Sequence, residues 1–204
     1  MCPGHESWHP DPEFYYKPGA GPLFDMGPYY LSALVTLLGP VTRVCGFAST
    51  PNKTRTITSA PKNGELIEVE VPTHLITALD HNCVIGQLTT SFDVQAHEMP
   101  HIEIYGTSGT MRVPDPNGFD GPVLVKKAGE SDWSEIDLVS NRTNNLRGLG
   151  LLDLWQAANE GRAARCSGDL AAHVVEVAEA AHNAPQQNVF QHIQPVAKPE
   201  AMPV

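Results

Sequence analysis

The run Gly19-Ala20-Gly21-Pro22-Leu23-Phe24-Asp25-Met26-Gly27-Pro28-Tyr29-Tyr30, continuing into Leu31-Ser32-Ala33-Leu34-Val35-Thr36-Leu37-Leu38, decides how the rest of the chain is read. A glycine-rich loop turns into a helix. Asp25, Tyr29, Ser32 and Thr36 stand at offsets of 0, 4, 7 and 11 and so share one helical face. Met26, Tyr30, Ala33, Leu34, Leu37 and Leu38 form the neighbouring stripe, apolar enough to dock on a core. A proline inside a helix removes a backbone hydrogen bond, so Pro28 is expected in the first turn, which puts Asp25 near the N-cap. Gly39-Pro40 is the stop.

Two roles are open for Asp25 and Tyr29. Asp is a preferred helix cap, and a tyrosine one turn on can simply cover a sheet. Alternatively, a carboxylate and a phenol line a cleft, where a tyrosine helped by a nearby cation can move a proton on a hydroxyl–carbonyl substrate.

Downstream, the texture changes to strands. Residues 41–48 are rich in β-branched side chains and alternate; 50–64 are polar and turn-rich, an expected exposed loop. Residues 65–71 alternate with period two, and 73–80 and 84–93 are strands joined across His81-Asn82-Cys83. Further hairpins are expected from 101–105 with 110–113 and from 123–127 with 133–138. Successive short strands without intervening helices demand antiparallel pairing, because parallel neighbours need long crossovers. Two helices follow. One spans 147–160 before Gly161, and one is capped by Ser167 with Leu170, Val174, Val177, Ala178 and Ala181 on its apolar stripe. The predicted class is α+β, one large mostly antiparallel sheet with helices on one face. Residues 1–183 form the domain and 184–204, rich in Gln, Asn and Pro, a disordered or extended tail.

Composition narrows the function. A net charge of −10 over 204 residues argues against nucleic acid, which needs clustered Lys and Arg. No apolar run approaches the roughly 20 residues that span a bilayer. Cys2, Cys45, Cys83 and Cys166 form no C-x-x-C pair, as expected for reduced thiols of a cytoplasmic protein. His97-Glu98-Met99-Pro100-His101 has the zinc-protease spacing, but Pro100 lies inside it and the surroundings are strand, so no metal site is expected. His5, Trp8 and His9, in a proline-punctuated loop, are candidates to hold sugar hydroxyls by hydrogen bonding and stacking; exposed loop residues are the plain alternative. Lys17, just before the glycines, is either solvated or near a cofactor phosphate.

Trp8-His9-Pro10-Asp11-Pro12, Phe14-Tyr15-Tyr16, the run 19–38 and Glu103-Ile104-Tyr105-Gly106-Thr107-Ser108-Gly109-Thr110 together resemble the second domain of the glucose–fructose oxidoreductase / inositol dehydrogenase / rhizopine-catabolism family. The resemblance continues to the helix ending near Asn183. The family pattern is a glycine-rich loop, an Asp, three residues, then His or Tyr. Asp25 fits the acid, Tyr29 the position more often filled by His, and Ala20 departs from the usual triple glycine.

The resemblance implies NAD(P)-dependent sugar or polyol dehydrogenase chemistry, with Asp25 and Tyr29 as catalytic residues, Tyr29 the proton relay and Asp25 its orienter; the expected substrate contacts are His5, Trp8, His9 and Tyr16. It also implies a homodimer formed through the open sheet face. The family's nucleotide-binding domain, with its Gly-x-Gly-x-x-Gly turn and catalytic Lys, has no counterpart here, and Gly19-Ala20-Gly21 follows no strand. NAD or NADP is therefore implied by the family but not expected to bind this chain alone.

Three arrangements fit. The chain is a domain of a longer protein, which the abrupt start inside the second domain favours, leaving an unpaired sheet edge. Otherwise it is half of a split enzyme completed by a Rossmann domain in trans, or a non-catalytic carbohydrate-binding or dimerisation module.

Overall fold

A computed structural model describes residues 1–139, 144, 147–187 and 189–201. The chain divides into two compact units, Met1–His97 with Gly168–Pro199, and Glu98–Ser167 with Glu200–Val204. The α+β class and the antiparallel pairing are as expected, and the described strands divide among three ladders.

In the first unit, β1 (Arg43–Ser49), β4 (His74–Asp80) and β5 (Ile85–Ser91) form a sheet in the order β10-β1-β4-β5. Strand β10 is Gln191–His192, inside the segment 184–204; it pairs with Arg43 and Val44, and the buried Ile193 donates its N–H to Thr42 at 2.9 Å. The end of that segment, 202–204, lies outside the described residues.

Period-two patterning sorts the sheet faces. Val44, Leu75, Leu79 and Leu88 are buried on the inner side, which α1 (Pro22–Leu38) and α3 (Gly168–Gln187) cover. Phe47 and its cross-strand partner Ile76 face outward with Ile85. A smaller ladder pairs β2 (Thr54–Thr56) with β3 (Leu66–Glu68). Strand β3 falls in the alternating stretch 65–71 and buries Ile67 as that alternation predicts, whereas β2 lies within 50–64, expected to be an exposed loop, where Arg55 and Ile57 are buried.

Helix α1 starts one turn earlier than its prolines suggest. Gly21 takes φ +97°, which an L side chain rarely adopts, and Pro22 supplies the preset φ of a first helical residue. The Asp25 N–H then donates to the Gly21 carbonyl at 3.0 Å, so Asp25 lies inside the helix rather than at its cap. Pro28 sits in the helical interior, and the Phe24 carbonyl forgoes its amide partner. The buried face runs through Leu23, Gly27, Leu31, Leu34 and Val35, so the helix shares Leu34 with the expected stripe but leaves Met26 and Leu37 outside its buried face. Full burial of each large aliphatic there contributes about 1.5–3 kcal/mol.

Helix α3 buries the expected stripe and adds His173. That imidazole accepts the Val41 N–H on Nε2 at 3.1 Å and donates from Nδ1 to the Gln194 carbonyl at 3.1 Å. Burial holds its titration below the usual histidine range, so it is a neutral bridge between the helix, the residues just before β1 and the final segment. The helix runs on to Gln187, beyond the expected end near Asn183, with Pro185 inside its last turn.

The second unit carries the meander β6 (Ile102–Gly106), β7 (Gly109–Val113), β8 (Val123–Lys127) and β9 (Ser134–Ile136), each strand antiparallel to the next. Helix α2 (Leu149–Glu160) buries Asp153, which accepts the Arg165 backbone N–H at 2.7 Å and the Arg162 and Arg165 side chains at 2.8 and 2.5 Å. These donors hold the Asp153 carboxyl down to about 2. No helix among the described residues is long and apolar enough to cross a membrane.

Candidate functional site

The loop over the first unit is pinned at several points. Cys2 donates its N–H to Ser91 at 3.0 Å and accepts from Val94 at 3.3 Å, fixing the chain start against the end of β5. Gly4 adopts φ +103°, and a Cβ there would collide with the Glu6 carboxylate, the Tyr16 hydroxyl and the Arg55 guanidinium. A single 3-10 turn, Glu13–Tyr16, brings Tyr15 and Tyr16 beneath the loop.

This packing delivers His5 to Asp25. The His5 Nε2–H donates to Asp25 Oδ2 at 2.9 Å, joining loop to helix. His5 is 8% exposed, and its ring lies against Tyr15, Phe92 and Trp8 at centroid distances of 3.9, 4.7 and 5.1 Å. Burial disfavours the imidazolium, but the hydrogen bond to Asp25, the Cys2 thiol and the Asp25 charge carry His5 up to about 9. The site is thus a buried cation clasped by a carboxylate with an aromatic rim.

The rim continues outward. Trp8 is 61% exposed and packs edge-on against His9, which also meets Phe14 and Tyr15. His9 accepts the Asp11 N–H on Nδ1 at 3.0 Å, so in its neutral form the proton sits on Nε2. Tyr15 stacks on Phe14, and its hydroxyl is held above the ordinary tyrosine range by burial and then by the Asp25 charge. Tyr29, one turn beyond Asp25, is 39% exposed.

Two expected site residues are placed otherwise. Tyr16 is wholly buried; its hydroxyl accepts the His5 N–H at 3.2 Å and donates to Glu6, so it supports the loop from the core and offers no surface to a ligand. Lys17 is engaged by Glu70 and by the Glu68 carbonyl at 3.4 Å, in acidic surroundings unsuited to a phosphate. The glycine loop before α1 follows a 3-10 turn and not a strand, so these residues do not compose a dinucleotide cradle.

Sequence reasoning missed Arg55 and Tyr15. Arg55 lies buried on β2, donating to Glu6 at 2.6 Å, to Pro3 O at 3.2 Å and to Asp93, with its guanidinium 5.1 Å over the Tyr16 ring. Nothing local marks it, because its partners lie 38 or more positions away. Tyr15 stood in the quoted aromatic run, but only the 3-10 turn shows which tyrosine faces His5.

Residues 2–112 match the profile of the GFO/IDH/MocA C-terminal domain. The chain belongs to that family. Comparison with curated protein sequences gives no match. Solved structures agree on the fold. An aldose-aldose oxidoreductase from Caulobacter crescentus, complexed with glycerol, superposes with a TM-score of 0.66 at 19% identity, covering 92% of this chain and 53% of that one. A levoglucosan dehydrogenase in its apo form gives 0.69 at 16% identity, covering 94% and 57%. An oxidoreductase from Agrobacterium radiobacter in complex with NAD+, L-tartaric acid and magnesium gives 0.57 at 16% identity, covering 83% and 48%. This member of the GFO/IDH/MocA C-terminal domain family thus spans about half the length of the structures it matches.

Proposed function

We propose that this chain is the substrate-facing and assembly part of an NAD(P)-dependent sugar or polyol oxidoreductase. The observation that carries the reading is the His5–Asp25 clasp, which draws the family's acid toward an aromatic rim at the surface. His5 spends its Nε2–H on Asp25 and so fixes that carboxyl group, whose remaining acceptor capacity is offered to a substrate hydroxyl. Trp8 and His9 flank them, offering an apolar ring face and a polar edge to a sugar. Tyr29, one turn beyond Asp25 on the same helix, is assigned the exchange of a proton with a hydroxyl held at Asp25, and Tyr16 and Arg55 act by keeping the loop in place.

Neither NAD nor NADP is held by this chain on its own. The cofactor, which accepts or donates hydride when bound, and the catalytic lysine belong to a nucleotide-binding domain elsewhere in the protein or on a partner. No step through the nicotinamide is assigned to residues of this chain. The outer sheet face is the assembly surface. Phe47, 82% exposed, together with Ile76, Phe190 and Val189 rims an apolar cleft of about 370 Å³, which a second copy of the chain covers. The free cysteines and the low content of basic residues accord with a cytoplasmic protein that does not bind nucleic acid.

Ligand-observed NMR against a panel of aldoses and polyols tests the site. Binding in the millimolar range is expected, weakened about tenfold by Trp8→Ala and similarly by Asp25→Asn. A chain that is folded but binds no member of the panel, or binds equally well in both variants, contradicts the assignment.

A further inference from the structure

Cys2 is the one cysteine that the fold brings to the clasp. Its backbone is held on both sides by the Ser91 and Val94 bonds, and its side chain packs against the core cluster of Tyr16, Ile57, Ile67, Val69 and Phe92. The residue is only partly buried. His5, three residues on and with a side chain only 10% exposed, is within interacting distance of the Cys2 side chain. Nε2 of that ring is committed to Asp25, whereas Nδ1 is buried without a hydrogen-bond partner. A buried ring nitrogen left unsatisfied costs free energy unless a neighbouring group changes state to meet it. A thiolate at Cys2 would meet it.

We propose that Cys2, His5 and Asp25 form an activated-thiol site, at which Cys2 is modified by low-molecular-weight disulfides and other soft electrophiles. Asp25 holds the imidazole as a cation through Nε2, and Nδ1–H faces the sulfur. The Cys2 thiolate attacks one sulfur of the incoming disulfide. A new S–S bond to Cys2 forms, the disulfide's own S–S bond breaks, and the departing thiolate takes the Nδ1 proton of His5. The Cys2 sulfur is oxidised and the released sulfur reduced, so the exchange balances without a further oxidant.

The titration of both groups accords with this. Burial disfavours the thiolate, but the neighbouring His5 imidazole and the Gly4 amide bring Cys2 below its usual range. The charged groups acting on His5 are Asp25 and Cys2. The inference goes beyond the sugar reading and stands without it, since thiol reactivity is measured with no sugar or nicotinamide present. An adduct would place bulk beside His5 and Asp25, so modification would also block the proposed hydroxyl site.

The test is competitive labelling with substoichiometric iodoacetamide at pH 7, each cysteine being read by peptide mass spectrometry. Cys83 and Cys166 are exposed and serve as internal references. Cys2 is expected to react about tenfold faster than either, and glutathione disulfide to form its first mixed disulfide there. His5→Gln should bring Cys2 to or below the rate of Cys83, with circular dichroism confirming the fold. A Cys2 rate no faster than Cys83 in the unaltered chain overturns the proposal, as does an unchanged rate in folded His5→Gln. Should that variant fail to fold, the pH–rate profile of the unaltered chain decides. A Cys2 midpoint below that of Cys83 sustains the site, and coincident midpoints refute it.

Discussion

Arg55→Met is expected to lower the stability of the chain by about 3–5 kcal/mol, the range measured when one partner of a buried ion pair is removed. Arg55 is the only cation among the described residues that bonds both Glu6 and Asp93, and both carboxylates are largely shielded from water. Methionine fills similar volume but leaves those two anions facing each other across an apolar gap. It also removes the donor to the Pro3 carbonyl and the cation stacked on Tyr16. The damage should spread to the loop, because Glu6 is also the acceptor for the Tyr16 hydroxyl, which in turn receives the His5 N–H. Urea denaturation followed by circular dichroism reads the loss directly. Arg55→Lys keeps the charge but not the two-ended fork, and should fall between the two. A loss under about 1 kcal/mol for Arg55→Met would mean that water already solvates this cluster, contrary to its burial.

The second large effect is one of pH. His5 titrates up to about 9 in the folded chain, against 6.5 for the free side chain. A folded-state value raised above the unfolded one stabilises fully below the unfolded value and loses that stabilisation as pH climbs through the folded value. The clasp therefore contributes at pH 6 and below, and its contribution fades between about pH 6.5 and 9. At 1.36 kcal/mol per unit, the whole window corresponds to about 3 kcal/mol, an upper value because Asp25 retains contact with water. Asp25→Asn preserves shape and removes the charge, so its melting temperature should fall well below that of the unaltered chain at pH 6 and converge with it near pH 9.5. Parallel curves across that range would show that His5 is not held as a cation.

Much of the fold was legible because the signals are local. Alternation in 73–80 and 84–93 survives as β4 and β5 with the expected hairpin between them, since one buried face enforces period two. The apolar stripe of α3 was equally plain. What escaped depends on choices that no window of sequence contains. Pro22 and Pro28 both resemble helix-initiating prolines; the positive φ of Gly21 settles the start at Pro22 and leaves Pro28 to interrupt one bond. Residues 50–64 look solvated because Arg55 is charged, and only distant Glu6 and Asp93 make its burial tolerable. Gln191 and His192 have no strand pattern of their own and pair because β1 offers a free edge.

The candidate site was legible in its parts more than in its wiring. Asp25, His5 and Trp8 were singled out by residue type and by the family resemblance, and the structure brings them together. That Asp25 clasps His5 follows from Gly4 turning the loop inward, which depends on a backbone angle rather than on spacing. Tyr16 and Tyr15 exchange roles for the same kind of reason. Adjacent positions on a 3-10 turn point in different directions, and Tyr16 is the one driven into the core.

The division of labour between this chain and a nucleotide-binding partner is tested most directly by titrating the purified chain with NADH and with NADPH, followed by fluorescence. The mass of the same sample is determined by size-exclusion chromatography with light scattering. A folded dimer that shows no saturable binding up to millimolar cofactor is the predicted result. Saturable micromolar binding of either cofactor would contradict the account and place a complete cofactor site within these residues.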